Sequence, residues 1–235
     1  MTTDYDDFAA DYAAENETSL LNNYYERPAM LELAGNVAGR RILDVGCGAG
    51  PLSAALRDRG AHVAGFDSSA AMVDLARRRL GDDADLRVAD LGKPLPYKDS
   101  SFDDVVASLV LHYLRDWTEP LAELRRVLKP GGRLILSVNH PFAYPLSEGA
   151  AKYFPIVEWP LEVNLAGKSA TLLTWHRPLH AIVDAFAEAG FRLSIISEPP
   201  VSLETPKELI PPHLEGRMRF ISFIFFVLES PDLPE

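Results

Sequence analysis

Between residues 40 and 140 the chain repeats one pattern: a strand-length apolar run, a turn, then a helical stripe. Arg41–Val45, His62–Phe66, Leu86–Ala89, Asp104–Leu109 and Arg133–Val138 are short and apolar at their centres, as strands covered on both faces are. The segments between them read as helices. Pro51 suits a first helical position, with Leu52, Ala55 and Leu56 on one face. Ser68 or Ser69 can cap a second helix carrying Met72, Ala76 and Leu80, and Asp116 a third carrying Leu121, Leu124, Val127 and Leu128, which "KPGG" halts. Such alternation predicts an α/β fold, a doubly wound and mostly parallel sheet with helices on its faces.

The remaining chain fits around that core as one domain over residues 1–235. Residues 1–38 form a polar leader dotted with aromatics, expected to be a helical lid, and 39–139 hold the core. Residues 140–177 scatter Pro and aromatics with no clear period, so they read as an insertion after the fifth strand. From 178 to 235 regular structure returns. Pro178 opens a helix with Leu179, Ile182, Val183 and Phe186 on one face, Gly190 closes it, and Phe191–Ser197 and Phe220–Leu228 are strands.

Charge narrows the choice of partner. A formal net charge of -11, with no basic run longer than Arg77–Arg79, argues against a nucleic-acid partner. The single cysteine permits no internal disulfide, and "MTTDYDDF" is acidic where a secretory leader is basic and then apolar. The most apolar window, "FISFIFFVL", falls far short of the roughly 20 residues that a membrane-spanning helix requires. A cytoplasmic protein with a small-molecule substrate is expected, monomeric or homodimeric, with no membrane partner and no metal site.

The stretch "ILDVGCGAG", Ile42–Gly50, shows where the ligand goes. Ligands of open α/β sheets sit beyond the carboxyl ends of the strands, and the first three strands each end in an acid there: Asp44, Asp67 and Asp90. A dinucleotide is the rival to weigh, because Gly46 and Gly48 begin a G-x-G pattern and Asp67 lies 21 residues after Gly46. However, Pro51 stands where the third glycine of that fingerprint belongs, and carboxylates would repel a pyrophosphate by about 1 to 4 kcal/mol per pair. A ligand with an ammonium, a cationic sulfur, a ribose diol and an adenine gives every acid a partner.

The ordered series resembles the class I S-adenosylmethionine-dependent methyltransferases. "ILDVGCGAG" is similar to their glycine-rich first motif, "VAGFDSSAAM" to their ribose-binding strand, "RVADLGKPLPYKDSSFDDVVASLVLHYL" to their adenine-binding acid and fourth strand, and "RVLKPGGRLILSV" to their fifth. The resemblance spans about residues 40–140. It implies a Rossmann-like sheet of seven strands with an antiparallel last strand, which "FISFIFFVL" would supply, and a late helix at "HRPLHAIVDAFAEAGF". It implies S-adenosyl-L-methionine as cofactor and S-adenosyl-L-homocysteine as product. Asp44, Gly46, Cys47, Gly48 and Gly50 would line the methionine portion, Asp67 and Ser68 the ribose, and Asp90 and Leu91 the adenine. Met72 would cover the adenine face and Ser108 contact the methionyl end.

A sulfonium is already a good methyl donor, so the protein mainly has to aim. A base is required only where the acceptor must lose a proton, and His140 and His112, both after strand ends, are the expected candidates. Aromatic walls suit an apolar or aromatic small acceptor, methylated on O, N or C, with Tyr12, Tyr24, Tyr25, Arg27, Tyr113, Phe142 and His176 as expected contacts. Two alternatives keep the same sheet: a nicotinamide-dependent oxidoreductase or epimerase, and a non-catalytic partner protein.

Overall fold

Strands that are apolar on both faces must lie between two layers of helices, and the computed structural model shows that sandwich. It describes all residues except 1–4, 7, 166–167, 213–215, 217 and 232–235, with the backbone alone at 164, 165 and 168. The leader forms α1 (Ala9–Thr18), then a π-helical turn (Asn22–Glu26) that runs into α2 (Arg27–Ala34). The core follows as β1 (Arg41–Val45), α3 (Pro51–Asp58), β2 (His62–Asp67), α4 (Ala70–Leu80), β3 (Asp85–Val88), β4 (Phe102–Ser108), α5 (Thr118–Val127) and β5 (Leu128–Asn139). Beyond it come α6 (Ala143–Glu148), β6 (Val157–Leu165), β7 (Lys168–His176), α7 (Leu179–Glu188), β8 (Arg192–Ser197) and β9 (Phe223–Glu229).

The main sheet has seven strands in the order β3-β2-β1-β4-β5-β9-β8. β1 to β5 pair in parallel, and β9 runs antiparallel to both its neighbours, which is the expected Rossmann-like arrangement. Because strand side chains alternate, Ile42, Val106, Ile135 and Phe225 pack with α2 and α3, while Leu43, Val105, Leu134 and Phe226 pack with α5 and α7. The strand order reverses at β1, so a crevice opens beyond the carboxyl ends of β1 and β4.

Local chemistry sets the helix starts. Ser69, rather than Ser68, caps α4 by accepting from the Met72 amide at 3.1 Å. Asp116 accepts from the Thr118 amide at 2.9 Å, just ahead of α5. The segment "KPGG" halts α5 but makes no free-standing turn: it enters β5 as an irregularity, where a side chain on Gly132 would meet the Lys129 carbonyl at 2.8 Å. The last strand begins at Phe223, three residues later than its apolar run does.

The insertion corrects the expectation of an aperiodic stretch. After α6 it forms a two-stranded antiparallel sheet of β6 and β7. From Val157 to Val163 half-buried and exposed residues alternate along β6, as in a hairpin with one face laid on the body of the protein.

At the opposite end of the sheet from the crevice, the Asp104 side chain is fully buried between two arginines. Arg133 reaches its two oxygens at 2.8 and 2.9 Å, and Arg40 does so at 2.8 and 2.5 Å. Removing the acid would leave two guanidinium groups facing each other, each about a third exposed, which softens the penalty of a wholly buried pair. Asp104→Ala is expected to cost about 2–3 kcal/mol, measured by urea denaturation, without changing the sheet's circular dichroism.

Candidate functional site

The turn after β1 is short because three of its glycines adopt positive φ: 62° at Gly46, 53° at Gly48 and 79° at Gly50. At Gly46 a side chain would strike Val110 at 2.6 Å, whereas at Gly48 it would project into open space. That open space is the inner wall of a cleft of about 240 Å³ at the crevice.

The cleft gathers the acids that end the strands. Asp44, 1% exposed, accepts from Ser53 Oγ at 2.6 Å. Asp67 accepts from the Gly48 and Ser69 amides, both at 2.9 Å, so the glycine turn and the start of α4 are tied through one carboxylate. Asp90 stands at the outer rim, half exposed, and accepts from the Gly92 amide at 2.8 Å. Burial pushes the Asp44 carboxyl up to about 7, reinforced by the negative groups at Glu26 and Asp67, while the Ser53 bond opposes the rise. Burial likewise raises Asp67 against the pull of its backbone bonds. Cys47 lines the floor with its thiol raised well above the ordinary value by burial, which makes it an inert small residue.

Of the expected cofactor contacts, the cleft brings together Asp44, Gly46, Cys47, Gly48, Asp67, Ser68, Met72, Asp90, Leu91 and Ser108. Gly50 is set apart. It precedes α3 and packs on Leu80 and Ala76, so it shapes the turn from behind.

The leader covers the cleft. Tyr5 and Tyr113 share a hydrogen bond of 2.5 Å, and Tyr12 crosses the Tyr5 ring edge-on at 5.0 Å. Asp6 accepts from Ser69 Oγ at 2.5 Å and from the Ala71 amide at 3.1 Å, while Glu17 bridges to Arg79. Arg27 faces the cleft, held by Asn16 Oδ1 at 2.6 Å and Asn23 Oδ1 at 2.9 Å. Sequence reasoning missed Glu26. The π-helical turn delivers this residue, 4% exposed, to the cleft, where Ser108 Oγ and Ser137 Oγ each donate to its Oε1 at 2.7 Å. Burial raises its carboxyl, and the two serines and Arg27 oppose the rise.

Other expected substrate contacts lie elsewhere. Tyr25, 1% exposed, is core, with its hydroxyl donating to the Phe223 carbonyl at 3.2 Å. Tyr24 holds the late loop through its carbonyl, which accepts from Ser202 at 2.7 Å. Phe142 is an outer ring stacked on Tyr153 at 5.0 Å.

The three histidines are not brought to the cleft. His112, His140 and His176 line a second and much smaller cavity between the end of β5 and the hairpin, with Trp117, Trp159 and Trp175. His112 accepts from the Asn139 amide at 3.2 Å, and burial pushes it down to about 3, so it stays neutral. His140 accepts from the Phe142 amide on Nδ1 and offers Nε2 to Glu198 at 2.6 Å. His176 donates to the Tyr153 carbonyl at 2.6 Å. These are joints between the sheet and the insertion. The expected bases His112 and His140 thus lie outside the cleft, because a strand's end fixes where the backbone arrives, not which way the following turn points its side chains.

Comparison with known proteins agrees with this geometry. A family model described as a methyltransferase domain matches residues 43–136. The demethylmenaquinone methyltransferase of Symbiobacterium thermophilum is 35% identical over 174 residues, which cover 65% of this chain and 68% of that protein. The one from Clavibacter sepedonicus is 41% identical over 134 residues, 56% of this chain, and the chain spans only 55% of its length. An S-adenosylmethionine-dependent methyltransferase from Mesorhizobium loti, 24% identical, shares the fold with a TM-score of 0.66 over 86% of this chain and 96% of its own. With acids, glycine turn, sheet order and relatives in accord, the chain belongs to the S-adenosylmethionine-dependent methyltransferase family.

Proposed function

We propose that this protein transfers the methyl group of S-adenosylmethionine to a small, largely apolar aromatic acceptor and releases S-adenosylhomocysteine. The observation that carries this reading is the row Asp44, Asp67 and Asp90 along one cleft whose far wall is tyrosine and aliphatic. The residues fit the cofactor: buried carboxylates with few basic neighbours favour a ligand bearing an ammonium and a sulfonium, and disfavour a pyrophosphate. When bound, such a sulfonium supplies an electrophilic methyl group that needs no further activation.

The chain's own part is to hold, aim and dry the site. Asp67 keeps lone pairs beyond its two backbone bonds for ribose hydroxyls, and Asp90 at the rim suits an adenine amino group. Gly48 leaves the backbone bare where a ligand must approach it closely. Leu52, Leu109, Val110 and Leu114, with Tyr5, Tyr12 and Tyr113, give a flat ring an apolar slot and exclude water. The similar proteins from Symbiobacterium thermophilum and Clavibacter sepedonicus are named for demethylmenaquinone, which favours a quinone-like ring as acceptor.

Calorimetry tests the reading directly: S-adenosylhomocysteine is expected to bind and NADH to give no heat, and the reverse result overturns it. Asp67→Ala should weaken that binding by about 2–3 kcal/mol, since two hydroxyls lose a charged acceptor.

Asp44 makes the affinity pH-dependent. With its carboxyl near 7, binding the ligand's ammonium requires loss of its proton, so affinity is expected to fall about tenfold from pH 8 to pH 6. Asp44→Asn should remove that slope and most of the affinity. The same substitution should stabilise the free protein above pH 7. Between the unfolded carboxyl's ordinary value and about 7 the folded state binds the extra proton, so stability declines as pH rises through that window. Asparagine carries no charge to bury, and a gain of about 1–3 kcal/mol at pH 8 is expected in thermal melts.

A further inference from the structure

Glu26 is a deeply buried acid that the cofactor contacts do not use. Both serine bonds go to Oε1, from Ser108 at the end of β4 and Ser137 in β5, and among the described residues none donates to Oε2. The carboxylate is thus anchored by one oxygen and presents the other to the cleft. Its position along the sheet matters. Asp90, Asp67 and Asp44 stand at the carboxyl ends of β3, β2 and β1, a row that would serve adenine, ribose and methionyl groups in turn, and β4 and β5 come next in the strand order. A group anchored on those two strands stands past the methionyl end of that row, where an acceptor would meet a cofactor so held.

Other groups in this part of the cleft do not compete for a proton. Burial raises the Tyr5, Tyr12 and Tyr113 hydroxyls above their ordinary values, so they remain donors. Asp44 spends one oxygen on Ser53 and sits beneath the glycine turn. The histidines lie in the second cavity. Resting on methyl transfer to a small aromatic acceptor, we propose that Glu26 is a catalytic residue that selects acceptors bearing a phenolic or enolic O–H and takes that proton. The acceptor's oxygen, or a ring carbon conjugated to it, forms the new bond to the methyl carbon while the carbon–sulfur pair leaves with the sulfur. The O–H proton passes to Oε2 of Glu26, which ends neutral as the sulfonium becomes a thioether. A carboxylate is a competent base here because phenols are made more acidic by the electron flow toward the methyl group.

The test compares 1-naphthol with 1-methoxynaphthalene, in which a methyl group replaces that proton, by calorimetry on the full chain saturated with S-adenosylhomocysteine. The wild type is expected to favour the naphthol by about tenfold or more, because a buried acceptor group facing the ether is left unpaired. Glu26→Gln should erase that preference while binding S-adenosylhomocysteine within about threefold of wild type. Should the glutamine variant not fold, Glu26→Asp, which withdraws the acid by one methylene, should cut the preference at least about threefold. A preference absent in the wild type, or retained in either folded variant, overturns the role of Glu26. Failure of the wild type to bind S-adenosylhomocysteine at all would instead sink the methyltransferase reading.

Discussion

A carboxylate buried almost without compensation, Asp44, is the constraint around which the site is organised. Its partner among the described residues is Ser53, through hydroxyl and backbone, and two further acids, Glu26 and Asp67, stand close enough to raise its pKa. Burying unpaired charge is costly, and the cost here is spread over residues that tolerate it only because they face a cleft. Asp67 is eased by two amides at the openings of the glycine turn and α4, where free N–H groups and the helix dipole favour negative charge. Asp44 draws its help from Ser53 alone, through hydroxyl and backbone, and its carboxyl stays raised, which favours a cation beside it. A fold optimised for stability alone would not retain it.

The leader answers the other half of the problem, which is access. Its outer part is fixed to the core by Asp6 on Ser69, Tyr5 on Tyr113 and Glu17 on Arg79, and by a small apolar cluster of Ala9 with Ala49 and Met72. Deeper along the same segment Tyr25, Ala29 and Met30 are embedded in the core beside Phe223 and Phe225. The segment is therefore firmly rooted at α2 and lightly held at α1, an arrangement in which the outer turn opens at far lower cost than the root. The π-helical turn sits at the join and directs Asn22, Glu26 and Arg27 into the cleft from one turn of chain.

Most of the core was legible because its signals are local and repeated. Two-sided apolar strands, the proline and serine at helix starts, and three acids in register with three strand ends each carry the same message. The hairpin was legible but overlooked: Val157, Trp159, Leu161 and Val163 alternate with Glu158, Pro160 and Glu162, and the central proline disguised a strand that lies outside the main sheet. Glu26 and the histidines were not legible, for one reason in two forms. The leader has no period that would assign Glu26 a face, and its partners Ser108 and Ser137 lie 82 and 111 residues away. His112 and His140 follow the right strands, yet a 3₁₀ turn at Leu111–Tyr113 and the Phe142 bond to His140 turn both rings toward the insertion.

The division of labour between segments bears on how chemistry and closure are linked. Glu26 belongs to the rooted part of the leader, whereas Ser108 and Ser137 belong to the sheet, so the pair of bonds that anchors the carboxylate ties the two together. The tyrosines that wall the acceptor slot are brought by the same segment, with Tyr5 meeting Tyr113 of the core. A proton acceptor carried at the rooted base of the leader stays beside the sheet, while Tyr5 and Tyr12 of its outer part complete the walls that keep water from it.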